Sequence, residues 1–316
     1  MKENKSTSAK GFLIKLLLVF GIVAVVDYAV GSVLEYYYFK QQSGLQYRTT
    51  YSMEQTNQDV LVFGASRANH HYHPDIFEKR LNLSYYNVGR DGNPLFYHYA
   101  VLKCVLKRYT PKIVILDFTG EEFRVNSQSY ERLSSLLPYY KRHPEIRQII
   151  ELRSPYEKIK LLSSIYPYNS SIFTIAVGNA EFNKKRRGDI KGYVPLDGVW
   201  NEPIITDNKQ SRYPIDSNKV KTYDLFIKDC IRSGTKLYIV CSPYYFKTTQ
   251  TDISFSIAKG IAEKNNIPFF NFFKDSVFTN NSSLFSDMVH LNDNGAKVFS
   301  NKVVDRMMEN IKNAPK

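Results

Sequence analysis

The sequence predicts an α/β protein: a doubly wound parallel sheet of five strands, preceded by one transmembrane helix and interrupted by a helical insertion. Five short apolar runs, Val60–Phe63, 85–88, 113–118, Lys236–Cys241 and 268–272, read as strands with both faces buried. Helical patterns alternate with them at 74–83, 95–109, 219–232, 253–265 and from Asn294-Gly295 to about residue 312. Such alternation argues for parallel pairing through right-handed crossovers. Ahead of them, residues 12–34 are apolar apart from Lys15, Asp27 and small or hydroxyl residues. At about 1.5 Å per residue that run spans about 34 Å, enough for a bilayer core of roughly 30 Å.

Residues 1–11 form a polar, lysine-rich tail. Lys2, Lys5, Lys10 and Lys15 crowd the start of the apolar run, and positive charge retained in the cytoplasm sends the rest of the chain across the membrane. Tyr36, Tyr37, Tyr38 and Phe39 match an aromatic belt at the far interface. A cleaved signal peptide is the rival reading, but the run is long for one and Asp27 would fall in its cleavage region. Residues 41–58 are polar with no clean period and read as a linker, lifting a domain at 59–316 off the membrane.

At 316 residues the chain suits one α/β domain with insertions, and its 43% hydrophobic content is ordinary for a globular protein. A formal net charge of +13, from 43 Lys+Arg against 30 Asp+Glu, suits an anionic membrane surface or an acidic polymer. Nucleic acid is set aside as a partner, because the basic residues are dispersed and the anchor removes the domain from the genome. Cys104, Cys230 and Cys241 are odd in number and unclustered, which indicates neither a disulfide framework nor a cysteine zinc site.

The chemistry starts at Ser66. The first strand stops at Gly64, and the hydroxyl two residues on sits at the carboxyl edge, where open α/β sheets bind ligands. Its simpler reading is a helix cap. Near the other end, Asp287 and His290 lie three apart on a tight turn. They offer a base to take a serine's proton and an acid to hold that base in the right tautomer. Taken singly, they read as a cap and a helix-start histidine. Both turns belong to the same edge of the predicted sheet, so the three residues can meet. Between them, Asn87-Val88-Gly89-Arg90-Asp91-Gly92-Asn93 places two glycines three apart at a strand end, a turn that can aim backbone N–H groups outward. His70, His71 and His73 invite a metal reading, but no carboxylate or cysteine is spaced to complete a site. They read as a solvated loop bordering the site, and no cofactor is expected.

Gly64-Ala65-Ser66 after the first strand, the N-x-G-x-x-G stretch Asn87 to Gly92 after the second, and the D-x-x-H stretch Asp287 to His290 before the last helix resemble the blocks of the SGNH (GDSL-like) hydrolase superfamily. The resemblance covers roughly residues 58–310 and is to a membrane-anchored bacterial branch. It implies a flavodoxin-like sheet, Ser66 as nucleophile, His290 as general base and then acid, and Asp287 as the group orienting the imidazole. It also implies an oxyanion hole from the N–H groups of Ser66 and Gly92. The third block departs: Thr119-Gly120-Glu121-Glu122 stands where the family has Gly-x-Asn-Asp. Glu121 falls about where an asparagine donor is expected, and an ionised carboxylate cannot donate a hydrogen bond. Either Asn93 or Asn126 substitutes, or the third donor is missing, or the chain is a specialised branch with altered chemistry. Arg67, Asn87, Glu121 and Trp200 are further candidates for substrate contact, Trp200 as a platform for sugar stacking.

The stretch from about 121 to 218 holds three helical-looking pieces, at 130–137, 144–153 and 155–164. A loop-like part comes after them, with Lys184-Lys185-Arg186-Arg187 and residues 192–200. So long an insertion reads as a cap that shapes the substrate cleft. The expected function is an extracytoplasmic serine esterase or acyltransferase, acting on O-acyl, chiefly O-acetyl, groups of cell-envelope or exported glycans. Two alternatives stand beside it: a lipid-directed esterase or thioesterase, and a catalytically silent glycan-binding or assembly protein, for which Glu121 is the main argument.

Overall fold

The computed structural model describes residues 9–180, 188–206, 212–248 and 251–313. Strands β1 (Val60–Phe63), β2 (Tyr85–Asn87), β3 (Ile113–Asp117), β4 (Lys236–Cys241) and β5 (Phe269–Asn271) form one sheet in the order β2-β1-β3-β4-β5, every pair parallel. Val60 pairs with Tyr85 on one side and Ile113 on the other, so β1 lies between β2 and β3, and β3 is the middle strand. Leu61, Phe63, Val114, Leu116, Leu237 and Ile239 face one core, and Val60, Val62, Ile113, Ile115, Tyr238 and Val240 face a second. Successive side chains alternate between the faces, and burial of both explains the unbroken apolar runs.

The principal helices are α1 (Ala9–Lys40), α2 (Gly44–Glu54), α3 (Ser66–His71), α4 (Pro74–Leu81), α5 (Leu95–Arg108), α6 (Ser217–Ser233), α7 (Ile253–Lys264) and α8 (Asp293–Lys312). Helices α5, α6 and α7 cover the first core, while α3, α4 and α8 cover the second. The caps follow from side-chain chemistry. Asp216 accepts from the N–H groups of Asn218 and Lys219 to start α6, and Gly234, at φ 78°, ends it in the left-handed conformation. Asn292 accepts from the Gly295 N–H at 3.0 Å to start α8, which fixes the chain immediately after His290.

Residues 41–58 are not a linker. Within them α2 packs on α5 and buries Thr49, Thr50, Ser52 and Met53. Its polarity hid it from the sequence pattern. The Thr49 hydroxyl bonds the Leu45 carbonyl and the Tyr97 hydroxyl, both at 3.0 Å, and the Thr50 hydroxyl bonds the Tyr139 hydroxyl at 2.7 Å. Polar side chains are buried here with their partners supplied.

The insertion is made of short pieces, Ser127–Glu131, Arg132–Tyr139, Pro144–Ile146, Arg147–Glu151, Glu157–Lys160, Tyr166–Ser171 and Ile172–Asn179. The helices predicted at 144–153 and 155–164 are therefore broken. Pro144 and Pro155 open those two stretches, at a position where a missing N–H costs a helix nothing, so proline does not account for the breaks. Lys184 to Arg187 lie outside the described residues. The return limb, 188–200, crosses the carboxyl edge of the sheet as a strap. Asn87 donates its N–H to the Lys191 carbonyl (2.9 Å), Val194 to Asn69 (3.0 Å), Asp293 to Leu196 (3.0 Å) and Trp200 to Phe285 (2.7 Å). One segment thus ties together the ends of β2, α3 and the turn before α8.

Candidate active site

The Ser66 turn depends on Gly64, which takes φ 141°. A Cβ there would lie 2.8 Å from the Ala68 Cβ and 2.9 Å from the Asp117 carbonyl oxygen, so only glycine lets α3 start directly after β1. The Gly64 carbonyl accepts the Arg90 N–H at 3.1 Å, and the Val62 carbonyl accepts the Val88 N–H at 2.9 Å. These bonds draw the turn holding Asp91 and Gly92 beside the Ser66 turn. Asn69 of α3 fastens it further, donating from Nδ2 to Asp91 Oδ1 at 2.7 Å. Ser66 is the first residue of α3, and a first-turn N–H has no acceptor within its own helix.

His290 joins the two ends of the chain. Its Nε2 lies 2.7 Å from Ser66 Oγ, and its Nδ1 lies 2.8 Å from Asp287 Oδ2. The other carboxylate oxygen, Oδ1, accepts the N–H groups of Val289 (2.8 Å) and His290 (2.9 Å), so Asp287 shapes the turn as well as holding the ring. Tyr245, after β4, donates its N–H to the Met288 carbonyl at 3.0 Å, and the Ser286 hydroxyl donates to the Asp197 carbonyl at 2.9 Å. Partial burial pushes the Asp287 carboxyl up. The bonds from His290 and the two backbone N–H groups outweigh that and hold it below its ordinary value of 3.8. An ionised Asp287 accepts from Nδ1–H, which leaves the Nε2 lone pair facing the Ser66 hydroxyl.

The histidine cluster is buried, not a solvated loop. His70 and His71 lie in α3, and they and His73 are less than one-tenth exposed. Their rings pack around the site: His70 stands edge-on to His290 with centroids 5.6 Å apart, and His71 does so at 6.3 Å. His70 Nδ1 bonds the Val194 carbonyl of the strap at 2.6 Å, and its Nε2 lies 3.4 Å from Asp91 Oδ1. His71 Nε2 accepts the Leu291 N–H at 3.0 Å, which fixes the backbone beside His290. Nothing in the local sequence marks these contacts except helical spacing, which puts His70 and His71 one turn beyond Ser66.

An accepting His71 is uncharged, and burial pushes it well below its ordinary value of 6.5. Burial likewise pushes His98, on α5, down to about 3. In the unfolded chain both take up protons near pH 6.5, while the folded chain leaves them neutral. The unfolded state then binds more protons below that pH, so stability falls as pH drops from 7 to 5, by up to about 1.4 kcal/mol per unit for each ring. His143, which burial lowers but Glu54 and Glu145 raise further, offsets part of this loss over the same range. Denaturant unfolding at pH 7, 6 and 5 checks the net fall, and stability that rises toward pH 5 would contradict it.

Of the other candidates, Arg67 turns inward: its Nε lies 3.7 Å from Asp117 Oδ1, its guanidinium stacks 4.2 Å over the Tyr244 ring, and its two Nη atoms have no hydrogen-bond partner among the described residues. Asn87 is fully buried and serves the fold, donating to the Ala68 carbonyl at 2.6 Å and accepting from the Gly89 N–H at 2.9 Å; no substrate can reach it. Gly92 takes φ 66° with the Arg132 guanidinium against it. Asn93 is buried, its Nδ2 donating to the Asp91 carbonyl at 3.1 Å, and Asn126 caps Ser127–Glu131. Glu121 is exposed and pairs with Arg124 at 2.9 Å. Trp200 is partly buried against the second core, so it is not a free stacking platform; its backbone instead braces Phe285. Away from the site, Cys104, His143 and Glu145 bring ligand-type atoms within 4.8 Å of one another, but Glu145 is paired with Lys107 at 2.9 Å, and His143 with Glu145 and Glu54 at 2.9 and 3.0 Å.

The sheet order and the Ser66–His290–Asp287 constellation agree with the resemblance to SGNH hydrolases. No family model matches the sequence, and no curated protein matches it. Among solved structures, a proposed acylhydrolase from Bacteroides fragilis NCTC 9343 is similar at 11% identity and a TM-score of 0.43, over 86% of this chain and 99% of that one. The psychrotrophic esterase EstA from Pseudoalteromonas sp. is similar at 11% identity and a TM-score of 0.41, over 81% and 100%. An acetyl xylan esterase, AlAXEase, is similar at 13% identity and a TM-score of 0.39, over 80% and 99%. Likenesses this distant say nothing about a substrate.

Proposed function

We propose that the chain is a serine ester hydrolase or acyltransferase working through an acyl-enzyme, anchored by α1 with its domain outside the cytoplasm. The observation that carries this reading is the continuous hydrogen-bonded chain from Ser66 through His290 to Asp287, at 2.7 and 2.8 Å. Ser66 Oγ attacks the ester carbonyl carbon as its proton passes to His290 Nε2, and the imidazolium formed is held by Asp287. The N–H groups of Ser66 and Gly92, with Asn93 beside them, take the developing oxyanion. Collapse expels the alcohol, which leaves with the proton from Nε2. Water or a sugar hydroxyl then attacks the acyl-Ser66 ester with His290 again as base, and Ser66 recovers its proton.

The acyl group is small, chiefly acetyl, and the acceptor is an envelope or exported glycan. The resemblance supports that choice, as does the excess of Lys+Arg over Asp+Glu that the domain keeps once the lysines at the start of α1 are set aside. A lipid-directed esterase is the second reading, its substrate supplied by the membrane that α1 crosses. A silent binding protein is the third reading, because Glu121 is exposed, paired with Arg124 and gives the site no donor. The full chain in detergent, assayed on chromogenic esters of increasing acyl length and on acetylated glycans, separates these readings. Turnover highest on acetyl esters supports the proposal; preference for long acyl chains supports the lipid reading; no turnover of any ester supports a binding role.

A further inference from the structure

This inference rests on the reading of α1 as a membrane span. The second half of α1 runs along the insertion and is held to it from within the apolar run. The Asp27 carboxylate accepts the Ser163 hydroxyl at 2.5 Å, the Ser164 N–H at 2.6 Å and the Ile165 N–H at 3.4 Å. One turn on, Gly31 is pressed so closely to Ser164 that a Cβ would run into its backbone. Further along, the Tyr38 ring meets Tyr139 and Tyr168 with centroids 5.9 and 5.6 Å apart, and Asn179 Nδ2 donates to the Tyr37 carbonyl at 2.9 Å. From Asp27 onward, helix and insertion are one packed unit.

Length then sets depth. The apolar run before Asp27, residues 12–26, spans about 22 Å, short of a hydrocarbon layer of roughly 30 Å. The missing 8 Å or so takes about five more residues, past Asp27 to about Gly31. Ser163, Ser164 and Ile165 are bonded at the level of Asp27, so their segment lies level with the outer part of the bilayer. Its surface fits that place: Ile159 is 66% exposed, Leu162 80% and Phe173 79%, with Tyr156 and Ile172 also exposed. Apolar groups this exposed mark an interaction surface, and the helix that starts with Ile172 and Phe173 packs directly on α1.

We propose that the face formed by residues 156–173 is embedded in the outer leaflet of the membrane that α1 crosses, with lipid acyl chains as its partner. The domain is then seated in the bilayer rather than suspended above it. Asp27 is tolerated in the span because protein donors, not lipid, surround its carboxylate. The seat also fixes the height of the site, since α2 follows α1 directly and Arg48 donates to Asn69 Oδ1 at 2.7 Å and to the Gly89 carbonyl at 3.2 Å.

Nitroxide labels on single cysteines at Val19, Leu162, Phe173 and Ile231, in the full chain reconstituted into phosphatidylcholine/phosphatidylglycerol vesicles, test this. Cys104, Cys230 and Cys241 are buried and do not compete for the label. Collision with dioxygen against collision with a water-soluble nickel chelate reads depth. The expected result is loss of nickel access at 162 and 173, as at 19, with access kept at 231. Nickel access at 162 and 173 equal to that at 231, with 19 shielded, overturns this inference and leaves the anchor standing. Nickel access at 19 as well overturns both.

Discussion

Replacing Ser66 by alanine lowers turnover of a chromogenic acetyl ester by at least about a thousandfold and leaves the fold intact. The loss follows from geometry: Ser66 Oγ is the group that His290 Nε2 meets, at 2.7 Å. Intactness follows from what the hydroxyl does not do. The cap position of α3 is Ala65, which makes no side-chain cap bond, so the Ser66 hydroxyl is no helix cap and its removal costs α3 little. Alanine is also the best helix former. Steady-state rates alongside a thermal melt check both halves. A variant that keeps more than a tenth of wild-type turnover would remove Ser66 from the chemistry.

Asp287→Asn lowers kcat by about a thousandfold to ten-thousandfold, with the turn preserved. The amide oxygen can still accept the N–H groups of Val289 and His290, now 2.8 and 2.9 Å from Oδ1. Its NH2 would face His290 Nδ1, where it can only donate. The imidazole proton then moves to Nε2, which can no longer take the Ser66 proton. The depressed Asp287 carboxyl stays ionised, and so able to accept from Nδ1–H, at all but strongly acidic pH. A kcat within tenfold of wild type would show that Asp287 does not orient the ring.

The parts of the site legible in the sequence are those set by the ends of strands. Gly64 and Ser66 sit on the turn directly beyond a buried strand, while Asp287 and His290 come after β5 and two further short helical pieces, Ser276–Thr279 and Ser282–Leu284, at the same end of the parallel sheet. The bland readings of Ser66 and Asp287 as caps fail on particular atoms, since the cap position of α3 is Ala65, which makes no cap bond, and α8 is capped by Asn292. What stayed hidden depends on partners far away in sequence. The α2 helix looks like a linker because its threonines are polar, yet Tyr97 and Tyr139 satisfy them. His70 and His71 look solvated because histidine is polar, yet Val194 and Leu291 supply their backbone partners. Trp200 looks like a stacking platform, but its ring joins a core assembled from residues across the chain. Local pattern cannot report contacts made by tertiary packing.

The most direct test of the nucleophile is covalent. The full chain is treated with a fluorophosphonate, digested, and the adduct mapped by mass spectrometry. A single adduct on Ser66, absent when the protein is unfolded first and abolished in His290→Gln, is the predicted result, because only a serine activated by a neighbouring imidazole displaces the fluoride readily. No adduct, or an adduct on another serine such as Ser242, whose hydroxyl is bonded to Asp117, would contradict the assignment of Ser66 as nucleophile and with it the esterase reading.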